Sequence, residues 1–213
     1  MKTEQSVGRV PEVVNEHDAG GGVRGKCAGR FAGGMRRILV IGSGGAGKST
    51  FARRLGGLLG LEVIHLDALY WGAGWVETSK DVWRERVAEL LGREAWVMDG
   101  NYSGTLELRL AACDTVVLLD LPRAACVWGI LKRAFIYRGE ARPDMARGCP
   151  ERITADFLRW VWNYPARTRP KVLKLLAEHA GGKRVVRLRS RAEVEEFLAR
   201  FAAREAVARL SSD

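Results

Sequence analysis

The run Gly42-Ser43-Gly44-Gly45-Ala46-Gly47-Lys48-Ser49 satisfies the spacing G-x-x-x-x-G-K-[ST] at every position, and Thr50 follows it. Such a run has the chemistry of a phosphate cradle. Glycines let the backbone curl so that successive N–H groups converge on phosphate oxygens, and side chains at Gly44 or Gly47 would block that approach. A helix opening at Lys48 adds the partial positive charge of its N-terminus. Lys48 brings a full charge to the β and γ phosphates, and the Ser49 hydroxyl is a Mg²⁺ ligand. The loop Gly42 to Thr50 is therefore expected to hold ATP or another nucleoside triphosphate.

Phosphoryl transfer also needs carboxylates and further cations. Asp67, Asp99 and Asp120 each close an apolar strand-like run, where ligands of open α/β sheets sit. Asp99 is preferred to Asp120 for the Mg²⁺ shell, because Gly100 after it permits close approach of a ligand; Asp120 closes the strongest apolar run. Asp67 is suited to take the proton of an acceptor hydroxyl, or to orient it. For each of the three, a turn-capping aspartate is the structural alternative. His65 receives no role, since a lone histidine on a strand is more often structural. Between Arg133 and Arg152 lie Arg138, Arg142 and Arg147, set around Gly139, Pro143 and Gly148. Arginines on a segment that breaks regular structure suit a closing lid, here residues 138–152, with Arg138 and Arg142 as the catalytic pair. A basic loop without a catalytic part is the alternative.

The elements that must position these groups alternate strand and helix from Met35 onward. Strands are expected at Arg37 to Gly42, Glu62 to Leu66, Ala95 to Asp99, Thr115 to Asp120 and Lys183 to Leu188. Helices are expected from Lys48 to Leu59, from Thr78 (in a capping box with Asp81), from Arg123 to Tyr137, from Pro150 to Asn163 and from Pro165 to Ala180. A last helix is capped by Ser190 and Glu193. A Gly- and Trp-rich loop spans Leu69 to Glu77. This alternation of short apolar strands with helices implies an α/β fold: a five-stranded parallel sheet covered on both faces, in the three-layer P-loop NTPase manner. Residues 1–34 contain eight glycines and no apolar periodicity. They read as a disordered tail, with Met35 as the natural start of a 35–213 domain.

The 213 residues are 47% hydrophobic, enough for a full core. No run approaches the ~18 apolar residues that cross a bilayer, and no signal-peptide pattern opens the chain, so a cytoplasmic protein is expected. Cys27, Cys113, Cys126 and Cys149 lack paired spacing and read as free thiols. The net charge is +10, and residues 123–191 hold 17 Lys and Arg against five Asp and Glu. Such a segment suits a polyanion: nucleotide phosphates, a phosphorylated acceptor or nucleic acid. The alternative is a solvated, arginine-rich surface. Trp128, Trp160, Trp162 and Tyr164 lie among these charges and could stack bases, though aromatics on helices are more often core.

The segments ILVIGSGGAGKST, VIHLDALYW, WVMDGNYSGTLELRL, LDLPR, YRGEARPDM–GCPER and FLRWVWNYP together resemble the DNA topology modulation proteins, an adenylate-kinase-like P-loop family. The resemblance spans Met35 to about Phe197. It implies a central P-loop strand, ATP and Mg²⁺, and a strand-end Asp-Gly pair matching Asp99-Gly100. It also implies an arginine at the start of the lid that packs on adenine, for which Arg133 is the match. In adenylate kinases proper the Asp-Gly pair leads into Phe-Pro-Arg. Here Asn101-Tyr102-Ser103 follows, which removes an acceptor-site arginine and leaves Arg109 as its replacement. The function expected is phosphoryl transfer from ATP to a small hydroxyl or phosphate acceptor. Two readings stand beside it: an ATP-dependent nucleic-acid-binding regulator, and a nucleotide binder without transfer.

Overall fold

The computed structural model describes residues 34–140 and 142–210. The tail expected over residues 1–34 thus lies, apart from Gly34, outside the described residues. Five parallel strands form one sheet: β1 (Arg37–Gly42), β2 (Val63–His65), β5 (Trp96–Asp99), β6 (Thr115–Leu119) and β7 (Arg184–Leu188), in the order β2-β5-β1-β6-β7. β1 is central, with Val40 beside Asp99 on β5 and beside Val117 on β6. This register aligns the end of β1, where the phosphate loop starts, with the end of β5, where Asp99 stands.

Side chains alternate across the strands, so each strand feeds two cores. Ile38, Val40, Val97, Val117 and Leu119 face one side and pack with Phe51 and Leu55 of α1 (Lys48–Leu59) and with Phe197 and Leu198 of α8 (Arg191–Leu210). Leu39, Ile41, Met98, Val116 and Leu118 face the other. They meet Trp83 and Val87 of α3 (Lys80–Leu91), Leu110 of α4 (Leu106–Ala112), and Val172 and Leu176 of α7 (Arg169–His179). Full burial of a side chain of this size is worth roughly 1.5–3 kcal/mol, so the two apolar faces dominate the stability of the three layers. Met35 joins the first core.

Between β2 and α3 the chain makes the short helix α2 (Leu66–Tyr70) and then a tight hairpin, β3 (Trp71–Gly72) against β4 (Val76–Glu77), where the sequence suggests a loop. The expected Thr78–Asp81 capping box does not form. Thr78 Oγ1 instead donates to the carbonyl of Tyr70 at 2.6 Å, closing the hairpin, and Ser79 is the N-cap of α3 with no side-chain bond. The Ser190–Glu193 box does form, the Glu193 amide donating to Ser190 Oγ at 3.1 Å. α5 (Arg123–Ile136) ends near its expected position. α6 (Ala155–Arg167) begins later than expected, at a Thr154 cap that accepts from the Phe157 amide. It runs through Pro165, and the break falls at Thr168, with Pro170 in the first turn of α7.

α5 sets the position of the phosphate loop by close approach. A Cβ at Gly45, where φ is +74°, would lie 2.0 Å from the Cys126 carbonyl oxygen; one at Gly129 would lie 2.2 Å from the Gly45 carbonyl oxygen. The two glycines let loop and helix touch backbone to backbone. Alanine in a helix interior normally gains about 1 kcal/mol over glycine. Gly129→Ala should do the reverse, because overpacking at backbone contact costs about 1–3 kcal/mol or more. Thermal melting of this variant is expected to fall below the parent, with weaker nucleotide binding; an unchanged or higher midpoint would contradict the close-packed loop.

Candidate functional site

The loop between β1 and α1 opens one wall of a cavity of about 500 Å³, lined there by Gly44, Gly45, Gly47, Lys48 and Ser49. Gly47 ends the loop in the left-handed region, at φ 91°, as the N-cap of α1. Lys48 Nζ donates to the Ser43 carbonyl at 3.0 Å. Burial pulls its pKa down, and the nearby charges of Asp67 and Asp99 pull it back up. Its hydrogen bond goes to a carbonyl rather than a carboxylate, so the charge is left available to an anion in the cavity. Ser43 Oγ is buried without a partner. Arg191, at the start of α8, donates to the Ala46 carbonyl at 3.1 Å and covers Gly47 from outside. Gly42, Ser43 and Ala46 are buried behind the loop surface, and Thr50 is exposed and outside the cavity lining.

Ser49 Oγ donates to Asp99 Oδ2 at 2.7 Å, and His65 Nδ1 meets Asp99 Oδ1 at 2.5 Å. Burial opposes the charged imidazole, but the contact with Asp99 outweighs it and His65 is held above its usual pKa. Asp144 joins this cluster from the segment after α5. Burial works against its carboxylate, yet Arg142, with Ser49 and His65 near, holds its pKa low. A serine hydroxyl backed by a buried carboxylate, beside a phosphate loop, is the hard-oxygen set that suits Mg²⁺, which takes few protein ligands and completes its shell with water and phosphate. Among the described residues no group of three or more His, Cys, Asp or Glu could hold a metal ion. Asp120 is elsewhere: Arg187 and Arg169 pair with it at 2.5 and 2.9 Å, and it ties β6 to β7 and α7.

A further part of the wall comes from α2, the loop after β5 and the hairpin, with Asp67, Gly100, Asn101, Tyr102, Trp71 and Trp75. Asp67 Oδ1 accepts from the Tyr102 hydroxyl at 2.7 Å. Burial, then the Asp67 charge, push the Tyr102 phenol far above its usual pKa, so it stays a donor. Asn101 clasps the end of β1, with its side-chain amide donating to the Gly42 carbonyl at 2.7 Å and its oxygen accepting from the Gly42 amide at 3.2 Å. Arg109 does not reach the cavity. It is fully buried and donates to the carbonyls of Thr105, Gly100, Asn101 and Tyr102, so it is a structural guanidinium and not the acceptor-site arginine. Burial lowers its pKa to about 10. Gly100 has a packing reason besides ligand approach: a Cβ there would lie 2.9 Å from that of Leu66.

The segment between α5 and α6 closes the third side. Glu151, with its side chain 2% exposed, stands between Arg133 at 2.8 Å and Arg142 at 2.7 Å, and Arg142 also pairs with Asp144 at 2.8 Å. All but Asp144 of these line the cavity. Arg133 is thus an ion-paired wall residue here. Arg138 is exposed and outside the cavity, and its backbone bridges to that of Glu151; the segment brings Arg152 to the cavity in its place. Some of these arginines are paired within the fold, Arg133 with Glu151 and Arg169 with Asp120; Arg191 donates to the loop, and the exposed Arg123 and Arg152 lie over Trp162 and Trp75.

Several working residues escape sequence reasoning. His65 and Asn101 act on partners 34 and 59 positions away, and no local pattern marks them. Glu151 could have been found as the acid inside an arginine-rich segment.

No family model and no curated protein matches the chain. Among solved structures it is similar to a shikimate kinase from Acinetobacter baumannii in complex with shikimate (18% identity, 79% of this chain and 91% of that one, TM-score 0.47). It is also similar to a gluconokinase from Sinorhizobium meliloti 1021 (19% identity, 84% and 99%, TM-score 0.46). A deoxyadenosine kinase from M. mycoides with bound dCTP is a third (12% identity, 78% and 98%, TM-score 0.40).

The shared Glu151 carboxylate makes a sharp expectation. Removing one member of a buried ion cluster strands the others, at a cost of about 3–5 kcal/mol, whereas exposed pairs are worth about 0–1 kcal/mol. Glu151→Gln should lose stability on the order of 3 kcal/mol in urea unfolding. A loss below about 1 kcal/mol would mean that the two arginines do not depend on it.

Proposed function

We propose that the chain is an ATP-dependent phosphotransferase acting on a small acceptor. One observation carries the reading: Lys48 and Ser49, whose hydroxyl donates to Asp99, line a single cavity together with Asp67 and its partner Tyr102. The loop amides and Lys48 bind the triphosphate, and Arg133 and Arg142 approach it from the lid side. Ser49, oriented by Asp99, would hold Mg²⁺, which when bound neutralises charge on the β and γ phosphates. His65 fixes the second oxygen of Asp99 and so leaves the first for Ser49. Asp67, oriented by the Tyr102 hydroxyl, takes the acceptor's hydroxyl proton. The acceptor oxygen forms the new bond to the γ phosphorus as the bond to the bridging β oxygen breaks, and ADP leaves. The lid segment, through Met145 and Glu151, keeps water from that path.

In this reading Lys48, Asp67 and Arg142 are catalytic, and Arg133 supports binding. Arg138 lies outside the cavity and keeps no part. Transfer is favoured over the nucleic-acid regulator because Arg133 and Arg142 stand in the cavity wall with Lys48, where a phosphate rather than a duplex fits. The likeness to DNA topology modulation proteins rests on the sequence motifs alone.

The test is ADP release from Mg-ATP across nucleoside monophosphates, nucleosides and small hydroxylated acids. Lys48→Ala is expected to lower turnover by roughly a hundredfold or more, the scale for losing one preorganised charge stabiliser. Asp99→Asn should also lower it strongly, while Asp120→Asn should lower the melting temperature and leave turnover per folded molecule intact. Equal turnover by Lys48→Ala and the parent, or the opposite pattern at the two aspartates, would refute the assignment.

A further inference from the structure

Among the described residues, Trp75 is the non-glycine residue that lies in the left-handed region, at φ 66°. A bulky side chain in the left-handed region is a strained outlier, and such strain persists where surrounding structure enforces it. The enforcement is visible. β3 and β4 pair on either side, the Gly74 amide donates to the Gly148 carbonyl at 2.9 Å, and Cys149 Sγ donates to the Gly72 carbonyl at 3.1 Å. The lid segment therefore grips the hairpin that carries Trp75. The indole lines the cavity, with its Nε1 buried and without a hydrogen-bond partner. Trp71 meets it edge-on at 5.4 Å, and the Arg152 guanidinium lies over its face at 4.6 Å. Among the described residues no carboxylate pairs with Arg152. Asp67 and Tyr102 line the same cavity.

We propose that Trp75, Trp71 and Arg152 form the acceptor subsite, and that it takes a flat aromatic or heteroaromatic ring carrying, directly or through a sugar, a hydroxyl group and an anionic group. This rests on the phosphotransferase reading above and names its substrate class. The planar guanidinium already on the indole face outlines a slot that a planar ring fits, since offset stacking on tryptophan favours flat partners. Once displaced, Arg152 turns its donors to the ring's carboxylate or phosphate. The hydroxyl then points to Asp67, on the path to the phosphate loop. Glycine at position 75 would remove the backbone strain at once, so a tryptophan held there is explained by what its ring binds.

The experiment is isothermal titration of the full chain, with Mg²⁺ and a non-hydrolysable ATP analogue, using three probes: 4-(hydroxymethyl)benzoate, cytidine 5′-monophosphate, and the saturated 4-(hydroxymethyl)cyclohexanecarboxylate. At least one flat anion should bind tenfold or more tightly than the saturated one, and which of the two does so separates a carboxylated metabolite from a nucleotide. Its affinity should fall at least tenfold in Trp75→Gly and in Arg152→Gln. Trp75→Gly should melt no lower than the parent, because it releases the strained backbone; Arg152→Gln, at an exposed position, keeps the test open if the glycine variant folds poorly. Equal binding of the saturated probe, unchanged affinity in both variants, or no binding of either flat anion overturns the inference. Analogue binding without flat-anion binding defeats the subsite alone. Flat-anion binding without analogue binding leaves the subsite standing and defeats the kinase reading.

Discussion

A single buried guanidinium holds the Asn101–Tyr102 side of this cavity in place. Arg109 sits inside the protein with backbone carbonyls as its hydrogen-bond partners, three of them from the consecutive residues Gly100, Asn101 and Tyr102. Burying a cation without a carboxylate is costly, and its cost is offset only while all its donors are satisfied. The loop after β5 is thereby fixed in one shape. Asn101 then reaches Gly42 at the root of the phosphate loop, and Tyr102 reaches Asp67. Asp99, one residue before this loop, is fixed with it and orients Ser49.

The remaining charges obey the same economy. The cavity gathers Lys48, Arg133, Arg142 and Arg152, a concentration of positive charge that would repel itself unless shared with acids. Glu151 and Asp144 neutralise the two lid-side arginines that stand closest together. Lys48 and Arg152 lack such a partner among the described residues: one bonds a carbonyl and the other lies on an indole. These two cations line the same cavity from the glycine-rich loop and from the segment against the hairpin.

What the sequence made legible was what its chemistry requires to be contiguous. The phosphate loop needs its glycines, lysine and serine in one unbroken run, so the run alone locates it. The central strands β1, β5 and β6 were visible because both faces of each are buried and their apolar runs are short and continuous; the edge strands β2 and β7 are only partly buried. Asp99 was favoured over Asp120 for its glycine neighbour; in the fold Asp99 accepts from Ser49, while Asp120 pairs with Arg187 and Arg169. The apolar run before Asp120 marks a well-buried strand, not a site. Readings failed where distant partners decide. Thr78 looks like a helix cap by spacing, but the Tyr70 carbonyl across the hairpin takes its hydroxyl. Arg109 looks available in a loop-and-helix segment, and only the fold reveals that it points inward. Pro165 suggests a helix start, yet α6 continues through it, with Pro170 opening α7.

The account stands most directly on whether the cradle binds a triphosphate with its metal. Equilibrium dialysis of a non-hydrolysable ATP analogue against the full chain, with Mg²⁺ and with the metal chelated, measures this without knowledge of the acceptor. Saturable binding at one site per chain, weakened when Mg²⁺ is removed, is the expected result. No saturable binding under either condition would contradict the account at its root.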